Sequence, residues 1–256
     1  MWKEKLILIC EDTLEGICTA VYDGWRDAKT KEIEIRTYEP DGPELFSEQR
    51  RIQTDQTKAG RVLHTIRRQM GAAAYESICC AAASADGEKG TAVFYVLYQA
   101  LGKGRCSRNI MEAVADPYVS KVLQLKTRVW REMHHYYGFL RFQEMGGAFL
   151  LAEMEPVNDI LELLEPHFQN RFPKENWMIY DLKREKALVH PHGRDCFVMH
   201  RVKPEQMVDA RPAASEQYEE LWKAFCEAIT IPERYNPELQ KNLLPVYRRK
   251  YMTEFQ

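Results

Sequence analysis
The chain opens with an apolar run, KLILIC, and then changes period. Such a short continuous run predicts a buried strand. The following EDT supplies N-cap chemistry for a helix in which Leu14, Ile17, Cys18, Val21, Tyr22 and Trp25 recur at helical spacing. KEIEIRTYE alternates Ile33 and Ile35 with charged residues, as a half-buried strand does, and EPDGPE then breaks the chain. A β-α-β start is predicted. From Ser47 to about Gly138 the pattern is helical throughout. Ile52, Ala59, Val62, Leu63 and Ile66 come first, then YESICCAAA, KGTAVFYVLYQAL, NIMEAVA and PYVSKVLQLKTRVWREMHHYYG. In the last segment Val119, Val122, Leu123, Val129, Trp130, Met133 and Tyr137 are assigned to one face, and Lys121, Arg128, Arg131 and His135 to the other.

From Phe139 the period returns to two. FLRFQEMGGAFLLAEME predicts a hairpin turning at Gly146-Gly147. NDILELLE predicts a helix capped by Asn158 and interrupted near Pro166, which fits the first turn of a new short helix. NWMIYDLKREKALVHPHGRDCFVMHRV predicts two or three strands, and the tail from Ser215 two helices joined by PERYNP. The expected fold class is α+β, with a mixed or antiparallel sheet in a single domain over residues 1–256. In it a helical subregion, about 46–138, lies between sheet-forming parts 1–45 and 139–203, and a helical tail covers 215–256.

Composition narrows the function classes. With 45% hydrophobic and 29% charged residues the chain has the makeup of a folded protein. A formal net charge of -2 excludes binding to nucleic acid by bulk charge, so any such binding requires local patches. No apolar run is long enough to span a membrane or serve as a secretory h-region, which predicts a cytoplasmic protein. The seven cysteines lack the spacing of a disulfide framework and are expected to be reduced and mostly buried.

Four segments carry candidate chemistry. In EPHFQNRFPKENWMIYD, His167 and Arg171 share a helix face, with Phe168 and Phe172 on a core-facing stripe. A neighbouring arginine favours a neutral imidazole, able to act as a base or to bond a phosphate that Arg171 also holds. The alternative is structural, with Arg171 paired to an acid such as Asp181. In HPHGRDCFVMH a hairpin could align His190, His192, Cys196 and His200, but the spacing is not that of a zinc motif, and neither metal nor cofactor is expected. ALGKGRCSRN precedes a helix, and residues 101–131 hold seven Lys/Arg against two acids, so Lys103, Arg105, Arg128 and Arg131 form a candidate phosphate patch. A solvated face balanced by the acids of 153–165 explains that segment equally well. YRRKY fits either stacking on single-stranded nucleic acid or an ordinary amphipathic end. Neither a nucleophile elbow nor a radical-SAM cluster motif is present.

Three stretches, EDTLEGICTAVYDGW, VWREMHHYYGFLRF and LWKAFCEAITIPERYNPELQKNLLPVYRRKYMTEF, together with the EPHFQNRFPKENWMIYD segment, resemble a bacterial family of probable DNA-metabolism proteins. Members look linked to a putative DNA modification/repair radical-SAM protein and are sometimes fused to a uracil-DNA-glycosylase-like domain. The resemblance implies a DNA-repair context without supplying a reaction. It implies nucleic acid and the radical-SAM protein as partners, and a uracil-DNA-glycosylase-like protein as a further one. On this reading His134, Arg141, His167, Arg171 and Asp181 gather at one sheet edge, with Arg141, Arg171 and Arg234 among the phosphate contacts. Two rivals stand beside it. One is a hydrolase of a phosphodiester or N-glycosidic bond, with His167 or His134 as acid/base and Asp181 orienting it or activating water. The other is a protein-binding scaffold with no DNA contact.

Overall fold
The computed structural model describes residues 4–39, 42, 44–102, 108–145, 149–202, 236–244, 246–252 and 255. The chain divides by its internal contacts into two compact units, Met1–Arg131 and Glu132–Gln256. Helices and strands occur in both, and the fold class is α+β.

In the first unit β1 (Lys5–Ile9) lies between β2 (Glu32–Arg36) and β3 (Ser47–Arg51) and is parallel to both. A central strand of a parallel sheet is covered on both faces, which is why KLILI is apolar without alternation. The connection to β2 is α1 (Leu14–Gly24), capped by Thr13, whose Oγ1 accepts the Gly16 N–H at 3.0 Å. Ile17, Cys18 and Val21 on its stripe are buried, whereas Tyr22 is 40% exposed.

The helical block starts later than the pattern predicts. Ser47–Arg51 is a strand of polar residues, because β1 has a second hydrogen-bonding edge to fill and an edge strand asks only for backbone groups. Helix α2 (Gln56–Gln69) begins after Asp55, whose Oδ1 accepts the N–H groups of Thr57 and Lys58 at 2.8 and 3.1 Å. Helices α3 (Ala72–Ala83), α4 (Lys89–Leu101) and α5 (Pro117–Phe139) follow as expected. Along β2, Tyr95 Oη and Thr91 Oγ1 of α4 accept the Ile33 and Ile35 N–H groups at 3.1 and 2.9 Å, which satisfies that edge. The close approach depends on Gly90, where a Cβ would stand 2.9 Å from the Ile35 carbonyl oxygen. On α5, Val119, Val122, Leu125 and Val129 are buried, but Trp130 is 47% exposed. The buried stripe is narrower than the expected one, since consecutive helical residues such as Val129 and Trp130 stand about 100° apart.

The second unit holds a five-stranded sheet in sequence order: β4 (Gln143–Met145), β5 (Phe149–Met154), β6 (Trp177–Asp181), β7 (Lys186–His190) and β8 (Phe197–His200). Only β5 and β6 are parallel, and the crossover this demands contains α6 (Glu165–Arg171), with Pro166 in its first turn. The predicted helix at Asn158 is absent; a 3-10 turn at Glu162–Leu164 leads directly into α6. Two short helices, α7 (Pro237–Leu243) and α8 (Val246–Arg249), lie in the tail. The Gly146-Gly147 turn and the first tail helix fall outside the described residues. No helix among the described residues is long and apolar enough to cross a membrane.

Candidate functional site
Two histidines from the sequence constellation meet on one aromatic ring, and an arginine stands one helical turn from one of them. Four-residue spacing on α6 places His167 and Arg171 on one face, and three-residue spacing on α5 does the same for His134 and Tyr137. The His167 ring lies on Tyr137 with centroids 4.0 Å apart at 16°, and His134 is tilted against the same tyrosine at 5.2 Å. The floor is apolar, as the phenylalanine stripe predicts. Phe168 is buried and meets Tyr137, Phe142 and Trp177, and Phe142 also meets Phe172. Arg171 is exposed, its guanidinium carbon 5.5 Å from the Phe172 ring centroid. Arg141 immediately precedes Phe142 and donates from Nη1 to the Gly138 carbonyl at 2.9 Å, closing the last turn of α5.

The electrostatics follow from this packing. Burial, and then the positive charges of Arg171 and His134, push the His167 imidazole below its ordinary range. Its Nε2 is buried with no hydrogen-bond partner among the described residues, which a neutral ring tolerates and an imidazolium does not. His167 is therefore a neutral stacking group, while the exposed cationic groups beside it are Arg171 and, when protonated, His134.

Asp181 lies elsewhere. It ends β6, four residues and about 13 Å of strand beyond Trp177, where the aromatic cluster touches the sheet. Fully buried, it accepts the Lys183 and Arg184 N–H groups at 3.0 and 3.2 Å and the Arg184 guanidinium at 3.0 Å. Burial raises its carboxyl above the usual range even against the pull of Arg184. The cation paired with Asp181 is thus Arg184 and not Arg171, and among the described residues none of its hydrogen bonds goes to a histidine.

A polar group that spacing could have revealed lies behind that turn. Glu132 falls on the buried side of α5, between Val129 and Tyr136, and a charge inside an apolar stripe signals a buried partner. Its carboxylate accepts the Val157 and Asn158 N–H groups at 2.9 Å each and the Asn158 side-chain amide at 2.6 Å. Asn158, expected to cap a helix, is committed to this carboxylate. Arg184 holds the same loop from the other side through the Pro156 and Val157 carbonyls at 3.2 and 2.8 Å, and Lys186 holds Asp159 at 2.6 Å.

The remaining candidates disperse. Arg128 stands 3.5 Å from Asp86, which also takes Lys121 at 3.1 Å, and Lys126 reaches Glu76 at 3.3 Å. The acids balancing this patch therefore come from around α3 and α4, while Glu155 and Asp159 of the acidic segment pair with Lys250 and Lys186. Arg131 is exposed, and Lys103, Arg105 and Arg234 lie outside the described residues. His190 stacks on Trp177 at 5.0 Å and bonds the Glu175 carbonyl at 3.0 Å, whereas His200 pairs with Lys186 at the other end of β7. No group of three or more potential metal ligands is assembled among the described residues. In the tail, Arg249 and Lys250 lie over Phe255 and Tyr251 at 4.8 and 4.7 Å, so these cations pack on their own neighbours. Burial pushes the Cys10 and Cys18 thiols up to about 12, as inert core cysteines require.

No curated protein matches the chain. The family model described as "Domain of unknown function (DUF4130)" matches residues 88–254, more than half of the sequence and all of the α5–α6 constellation, and the chain belongs to that family.

Proposed function
We propose that the protein is a DNA-metabolism or repair accessory that binds nucleic acid through the α5–α6 surface and acts with a radical-SAM partner in the cytoplasm. The observation that carries the reading is the convergence of His134 and His167 on Tyr137, with Arg171 one helical turn from His167 on α6 and presented to solvent. Arg171 and His134 both add positive charge beside His167, the electrostatics of a surface suited to phosphate. Arg171 holds phosphate bidentately, His134 adds charge when protonated, and His167 fixes the arrangement by stacking on Tyr137. The resemblance to DNA-metabolism proteins supplies the context and the partner. The hydrolase reading is less favoured, because it asks Asp181 to orient a histidine and the carboxylate is occupied by Arg184.

The test is DNA affinity by fluorescence anisotropy as a function of salt. Affinity should fall steeply with salt, and Arg171→Ala should weaken binding about tenfold or more with an unchanged thermal melt. Binding that is indifferent to salt, or equal in the variant, overturns the proposal.

A further inference from the structure
Helix α2, whose charge the sequence pattern did not single out, concentrates cations that no acid among the described residues compensates. Helix α2 carries Lys58, Arg61, Arg67 and Arg68 and no acid between Gln56 and Gln69. Lys58 is committed to Asp23 at 2.7 Å. Among the described residues no carboxylate forms an ion pair with Arg61, Arg67 or Arg68, and all three are exposed. The C-terminal carbonyls of α2 favour Arg67 and Arg68, a local stabilisation that leaves Arg61 unexplained, since it sits in the second turn.

Beside Arg61 is a cavity of about 710 Å³ between α1 and α2, closed below by the end of α4. Its floor is apolar, formed by Trp25, Val62, Leu97 and Leu101. Its rim is cationic, with Arg61 and Lys58 beside the exposed ring of Tyr22, whose hydroxyl lies 3.5 Å from Arg61 Nη1. Among the described residues Asp23 is the only carboxylate lining it, and Lys58 neutralises that charge.

We propose that this groove is a second nucleic-acid site, one that takes a nucleotide unit of a single strand. A base enters over Tyr22 and Trp25, and its phosphates lie on Arg61 and on Arg68, which is about 10 Å further along the helix by the rise of seven residues. An aromatic anion matches both halves of the site, apolar-aromatic floor and cationic rim. An acidic peptide would use the rim alone, and a duplex would keep its bases stacked and out of reach of the floor. The site lies wholly within the first unit and shares no residue with the α5–α6 surface, so the two proposals stand or fall separately.

The experiment is anisotropy of a labelled oligothymidylate with the full chain, using the wild type, the double variant Arg61→Ala/Arg68→Ala, Tyr22→Ala and Arg171→Ala. All substituted side chains are at least partly exposed, and thermal melts verify folding. The double variant should weaken binding tenfold or more and reduce the log–log salt slope by about 1.4, from about 0.7 per single-strand phosphate contact. Tyr22→Ala should cost about fivefold to a hundredfold, the range of one stacked base. Competition by thymidine monophosphate that disappears in the double variant supports the base-and-phosphate assignment. Unchanged oligonucleotide affinity in the double variant overturns the groove while leaving the Arg171 reading intact. Equal binding of a polyglutamate peptide, lost in the same variant, also overturns it and makes the face an acidic-peptide site.

Discussion

The loop around Pro156–Asp159 and the exposed face of α2 are both rich in charge, and they use it in opposite ways. In the loop every charge is consumed by architecture. Glu132 takes two backbone N–H groups and an amide, Arg184 takes two carbonyls and Asp181, and Lys186 takes Asp159. These contacts satisfy polar groups of a segment that forms neither helix nor strand, where unpaired groups would be costly. On α2 the arginines satisfy nothing inside the fold, apart from the Arg67 guanidinium lying over Tyr75 at 5.7 Å and the Arg61 contact with Tyr22. A charge in a recognisable motif is thus weak evidence of a binding role, and a charge left without a partner on a regular helix is stronger evidence. Asp181 belongs to the most recognisable segment of the chain, yet it is as structural as a phenylalanine in the core.

The contrast can be broken most forcefully at Asp181. Asp181→Ala takes the fully buried carboxylate away from the Arg184 guanidinium and two N–H groups at the end of β6, and should destabilise the fold by about 3–5 kcal/mol in urea titration. A loss near that of a surface substitution, below about 0.5 kcal/mol, would return Asp181 to the list of functional candidates. Next in size is the coupling between Glu132 and Arg184, which grip the N–H and the carbonyl of the same residue, Val157. A double-mutant cycle with Glu132→Gln and Arg184→Met should give an interaction energy of about 0.5–3 kcal/mol, whereas additivity would mean that the two hold the loop independently.

The smallest effect concerns His167. Its folded pKa is depressed, so the native state binds fewer protons than the unfolded chain across the imidazole range. The resulting stability is present above the ordinary histidine pKa and is lost as pH falls through the folded value. Urea midpoints measured from neutral to mildly acid pH should therefore drop in the wild type, and drop less in His167→Asn; equal slopes would contradict the buried neutral ring.

Much of the fold is legible because local signals and burial agree. The Thr13 cap, the stripe Ile17–Val21, the β6–β7–β8 meander and the Pro166 helix start all follow from residue chemistry at the right period. Part of the candidate site is legible in the same way, since i,i+3 and i,i+4 spacing puts His134 with Tyr137 and His167 with Arg171. The errors occur where a distant partner decides. Asn158 has the chemistry of a helix cap and is diverted by Glu132. The 101–131 stretch is basic in sequence, but its Lys121, Lys126 and Arg128 are paired in space by Asp86 and Glu76.

Ser47–Arg51 shows the division most simply. Local pattern was enough to predict that KLILI is a strand, because four consecutive apolar residues, followed closely by a helix-cap signal, are too short a run for a buried helix. It could not determine that SEQRR is another, because an edge strand is selected by the unpaired backbone groups of its neighbour and leaves little trace in its own side chains. The same holds for the charges. Sequence specified which residues could hold a phosphate, and tertiary structure decided which were already holding something else, because pairing depends on distances between elements that no local period encodes.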